Sequence, residues 1–96
     1  LPNDITSSII SVGNKIRECF NEAVKSLLEK NKEIAHKVLI MMETTVNKSI
    51  ESAINKFTLT QLDFKSVISL GLIGDSLKRI LDYSMDIAEL TIDATA

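Results

Sequence analysis

The chain has 96 residues, 45% of them apolar and 25% charged, with a net charge of −2 at pH 7. That balance belongs to a folded domain and excludes a disordered segment. Acids outnumber the bases and interleave with them, which excludes the basic stripe that direct nucleic-acid contact requires.

A chain this short buries only about 60 to 65% of its unfolded surface, so its core must be efficient, and long helices sharing a seam meet that need. The longest uncharged run after the N-terminal region, Ser66 to Gly74, falls far short of the roughly 20 residues that span a bilayer, so no membrane insertion is expected. Cys19 is the only cysteine and cannot form an internal disulfide. With no secretory pattern at the start, the expected setting is reducing and cytoplasmic. The opening Leu1-Pro2 lacks an initiator Met, which reads as a fragment or one repeat of a longer protein, with residues 1–96 as a single domain.

The first segment places Ile5, Ile9, Val12, Ile16, Cys19 or Phe20, Ala23 and Leu27 at alternating steps of four and three, one face of a long helix. Asp4 or Thr6 is expected to cap it, and Cys19 to act as a small buried hydrophobe. The helix ends near "LLEKNK", where Asn31 suits the N-cap of the next.

From Lys32 the pattern resumes at Ala35, Leu39, Met42, Val46, Ser49 or Ile50, Ala53 and Phe57. Met41 and Met42 read as gap-filling core residues. The stretch "FTLTQLD" breaks the run, and Asp63 or Thr60 is placed to start a third helix that continues into the low nineties.

That third helix is apolar over more than one stripe. Val67, Leu70, Gly74, Leu77, Leu81, Ser84 and Ala88 form a seam, and Ile73, Ile80 and Ile87 repeat every seven residues on an adjacent face. The second stripe is a candidate interaction face for a homodimer or for tandem-bundle packing. Gly71 and Gly74 each cost about 1 kcal/mol relative to Ala inside a helix, a cost that close approach of a neighbouring helix would offset. Short loops make consecutive helices antiparallel neighbours, so the expected fold is all-α, an up-down-up three-helix bundle.

Little in the chain supports covalent catalysis. The lone His36 and lone Cys19 fall on different faces of different helices, so no nucleophile has a base beside it, and no enzyme is expected. Glu33 and His36 have the Glu-x-x-His spacing of di-iron bundles, but only one such pair exists and Lys32 and Lys37 flank it.

Asp75, Arg79, Asp82, Asp86, Glu89 and Asp93 share one helix face, and Glu43, Asn47 and Glu51 align on helix two. If the two rows met, Glu43, Asp82, Asp86 and Glu89 would be the candidate ligands for a divalent or iron ion. Lys78 supplies a competing positive charge beside Asp82. No arginine cluster or helix-start nest stands out as an anion pocket.

"FKSVISLGLIGDSLKRILDYSMDIAE", residues 64–89, resembles the last helix of a PhoU three-helix repeat, and "SLLEKNKEIAHKVLIMMETTVNKSIE", residues 26–51, is similar to the preceding helix pair. The resemblance implies a three-helix bundle and a non-enzymatic, cytoplasmic regulator of phosphate uptake and signalling that contacts a phosphate transporter subunit and a sensor kinase. It also implies metal clusters held by acid-x-x-x-Asp motifs. Here those motifs read Glu43 to Asn47 and Lys78 to Asp82, each one carboxylate short. Two readings from other classes stand beside it: a metal-binding bundle, and an oligomerisation domain attached to a DNA-binding effector.

Overall fold

A computed structural model describes all residues, Leu1–Ala96. It is all-α with no strand: α1 (Asn3–Leu28), α2 (Lys32–Met41), a π-helical segment (Met42–Val46), α3 (Asn47–Leu59) and α4 (Phe64–Ala94). Because α2, the π segment and α3 run on without leaving helical backbone, three rods result. The molecule is 49 Å long and 19 by 15 Å across. The length is that of α4, whose 31 residues span about 46 Å at 1.5 Å per residue. No helix is long and apolar enough to cross a membrane.

The sequence expects a side-chain cap from Asp4 or Thr6, but α1 starts behind Pro2 with no such bond. Proline's fixed φ suits a helix entrance, and Asp4 in the first turn complements the positive end of the dipole. At the other end, Asn31 N–H donates to Ser26 O at 2.9 Å and Lys30 N–H to Leu27 O at 3.2 Å, the paired bonds of a Schellman closure. That closure puts Lys30 at φ 50°, a left-handed position usually left to glycine. Asn31 then opens α2 as the spacing predicts, its side chain accepting from Ile34 N–H at 3.1 Å. Asp63 likewise opens α4 by accepting from Ser66 N–H at 2.9 Å, and the Ser66 side chain, then this backbone hydrogen bond, hold its carboxyl below the ordinary value.

The π segment is the one interruption that periodicity does not announce. Thr44 and Thr45 are β-branched and weak helix formers, and the Thr44 hydroxyl donates to Ile40 O at 2.8 Å, competing for a carbonyl of the ladder. The wider turn still delivers Val46 fully buried.

The core joins Val12, Ile16, Cys19 and Ala23 of α1 to Ala35 and Val38 of α2, Val46, Ala53 of α3, and Leu81 and Ala88 of α4. Small residues dominate where α4 ends, and there the rods meet closely. Ser26 and Thr91 are buried and share a hydrogen bond of 3.0 Å between their hydroxyls. No buried side-chain nitrogen or oxygen is left without a partner.

The other end is open. α4 packs on α1 and α2, α3 packs on α1, and α3 and α4 share no extensive contact. The expected α4 seam is therefore buried only from Leu81 onward. Leu70 and Leu77 are half-buried, Gly74 is exposed, and Val67 is 53% exposed. The physical reason lies in the side chains: a Cβ built at Gly71 or Gly74 would meet nothing within 4 Å. Where the pattern calls for knobs there are none, and the neighbouring rod that would offset the glycines is absent from the chain's own packing.

Candidate functional site

Two clefts flank α3. The larger, about 600 Å³, lies between the rods at the open end. Its walls are Ile9, Val12 and Ile16 of α1, Ile50, Ile54 and Phe57 of α3, and Leu70, Ile73 and Leu77 of α4, with Gly71 and Gly74 also lining it. Beyond it the apolar surface continues over exposed residues of the first half of α4: Phe64 is 80% exposed and Leu72 is 65% exposed. Exposed apolar surface of this kind makes this end a candidate interaction surface.

The expected stripe divides along its length. Ile73 lines the cleft, Ile80 lies at the edge of exposure, and Ile87 is half-buried against the core. The first two are open to a partner, and the third stabilises the monomer.

The acidic candidates do not converge. Glu43, Asp82, Asp86 and Glu89 are all exposed, and no three acidic, histidine or cysteine side chains gather closely enough to hold a metal ion. Of the two predicted rows, only Asn47 and Asp82 line the larger cleft, together with Lys78. One carboxylate and one amide fall short of the several oxygen ligands that a hard cation takes.

Cys19 is buried, and its thiol is pushed above the ordinary value by desolvation and then by the Glu18 charge. Its Sγ lies 3.9 Å from Val38 O. A buried thiol held protonated packs as a small hydrophobe and is a poor nucleophile. His36 and Glu33 are exposed on α2, away from it.

A model of the PhoU domain matches residues 9–91. This chain belongs to the PhoU family. No curated protein and no solved structure matches the chain. The stretch that matches the PhoU model takes in most of all three rods, the whole lining of the larger cleft, and that of the smaller one except Ser7 and Ser8.

The smaller cleft, about 360 Å³, is one that reading the sequence for acid pairs and arginine clusters misses. It lies between α1 and α3, and it is lined by lysines and serines with no acid among them. The available signal was a repeated octapeptide, "SIISVGNK" at residues 8–15 and "SIESAINK" at residues 49–56.

Proposed function

We propose that this chain is a single PhoU-like three-helix repeat that serves as a regulatory module of phosphate uptake and signalling. It works in the cytoplasm by presenting helix faces, without catalysis. The observation that carries the reading is the family match over residues 9–91. The open apolar end supports it, since a module that acts through contacts needs a surface its own fold leaves uncovered.

The rods are inferred to run up-down-up. Three pairings support that course. Gly13 lies beside Leu77, Ser26 bonds Thr91, and Cys19 approaches Val38. The first two climb α1 and α4 together, while the third, with the clefted segments 7–15 and 48–56, descends α2 and α3 as α1 rises.

In this reading the cleft with Ile73, and Ile80 beside it, packs against a second bundle in a homodimer or a tandem repeat. The exposed row of Asp82, Asp86 and Glu89 stays free for a basic surface on a transporter subunit or sensor kinase. Sedimentation over a wide concentration range tests the first part: self-association is expected, and Ile73→Asp with Ile80→Asp should abolish it. A chain that stays monomeric at high concentration removes the homodimer. The regulatory part fails if deleting the gene leaves phosphate-responsive expression and phosphate uptake in its host unchanged.

A further inference from the structure

We propose that the cleft between α1 and α3 binds a compact tetrahedral oxyanion of the phosphate class, held between Ser11 and Ser52 by Lys15 and Lys56. The inference rests on the cleft's own chemistry and stands apart from the regulatory reading. Lys15, Lys48 and Lys56 line it, and no acid does, in a chain where acids outnumber bases by 13 to 11. Like charges gathered along one cleft raise the energy of the free protein unless an anion offsets them.

The two walls are copies of each other. "SIISVGNK" on α1 and "SIESAINK" on α3 agree in their two serines and in the isoleucine, asparagine and lysine. Equivalent positions face the cleft from both sides: Ser8 with Ser49, Ser11 with Ser52, Lys15 with Lys56. Val12 with Ala53 and Ser7 with Lys48 complete the correspondence, so every lining residue has its counterpart. Glu51, the one acid of the repeat, stands where α1 has Ile10, and neither lines the cleft.

Two like segments running in opposite directions produce a local two-fold arrangement with Ser11 and Ser52 at its centre. Side chains on a helix lean back toward its N-terminus, over the residue one turn before. Lys15 is therefore placed to lean over Ser11 and Lys56 over Ser52, so that both ammoniums can reach the centre from opposite ends. Ser8 and Ser49 spend their hydroxyl protons on Asp4 O and Thr45 O, each at 2.9 Å. Ser11 and Ser52 have no such back-bond, so their hydroxyls are free to donate inward. The central site offers ammonium and hydroxyl donors from two opposed walls. A tetrahedral dianion brings more acceptor oxygens and about twice the charge of a carboxylate to the two walls.

Titration calorimetry on the whole chain, with thermal melts at matched ionic strength, tests this. Inorganic phosphate is expected to bind and raise the melting temperature, sulfate to follow it, and acetate and chloride to do neither. Glycerol phosphate separates the sources: binding as tight as phosphate assigns the site to a phosphate ester, and weaker binding assigns it to the free ion. Lys15→Gln and Lys56→Gln are each expected to weaken binding about tenfold, the loss of one charged hydrogen bond. Ser11→Ala with Ser52→Ala should weaken it with the fold intact by circular dichroism, and Lys65→Gln should change nothing. No phosphate binding up to about 10 mM overturns the proposal, since even a weak site of about 1 mM would be nearly filled there. Binding that persists in the Lys15→Gln, Lys56→Gln double variant, or acetate binding as well as phosphate, overturns it too.

Discussion

Gly71 and Gly74 sit in the interior of α4 with open space where a Cβ would be. Glycine in a helix interior costs about 1 kcal/mol relative to alanine, chiefly in backbone entropy. With no neighbouring atom within 4 Å of either built Cβ, no clash subtracts from that gain, so Gly71→Ala with Gly74→Ala should stabilise α4 by about 2 kcal/mol. For a domain of this size that is a rise in melting temperature of about 8 to 16 °C at dilute concentration. If the exposed half of α4 opens before the core does, the gain appears there first. Amides of residues 66–76 should then exchange about thirtyfold more slowly while those beyond Leu81 barely change. Far-UV circular dichroism reads the melt and native-state hydrogen exchange reads the local opening. The same variant should weaken self-association, because the added methyl groups keep a partner helix from the glycine floor. A melting temperature that is unchanged or lower in dilute solution would refute the reasoning, since it would mean those positions are packed.

Asn31→Ala removes the acceptor for Ile34 N–H and should cost about 1 kcal/mol, measured by urea unfolding with an unchanged m-value. Lys30→Gly should stabilise by about 1 kcal/mol, because the left-handed backbone at φ 50° no longer strains a side chain, less the extra freedom glycine has when unfolded. Cys19 should resist thiol reagents at neutral pH until the chain opens. Since burial raises its pKa in the folded state, the stability linked to it is full below the unfolded value and declines as pH rises toward and through the folded one. A Cys19→Ala variant should flatten that alkaline decline.

The three rods were legible because their apolar residues recur at threes and fours over long stretches, and Asn31 and Asp63 were legible because short polar side chains suit helix starts. Periodicity assigns a face to each rod but does not say what covers it. So Val67 and Leu70 read as seam residues, although Val67 is exposed and Leu70 is only half covered. The Ser26 and Thr91 pair escaped the same reading, because a hydroxyl scores as polar even where two of them satisfy each other in the core. The π segment escaped it because the apolar spacing runs through it unbroken, from Met42 to Val46. The lysine and serine cleft is a product of pairing two segments far apart in sequence, visible only if the octapeptides are compared with each other.

Val12 and Ala53 line both clefts, which makes the α1–α3 contact a single thin wall with a polar side and an apolar side. Anything that draws Lys15 and Lys56 toward a common anion draws α1 and α3 together, and α3 has no extensive contact with α4 to hold it back. If α1 and α3 shift relative to each other, the apolar cleft changes width with them. A partner seated among Ile50, Phe57 and Leu77 would load the same wall from the other side. Linkage makes the two effects reciprocal: the factor by which phosphate changes self-association must equal the factor by which association changes phosphate affinity. Sedimentation with and without phosphate, at constant ionic strength, supplies one factor, and calorimetry on dilute and concentrated protein supplies the other. Two factors of one would mean that α1 and α3 move as a rigid pair, and the two clefts would then be independent sites that share only a wall.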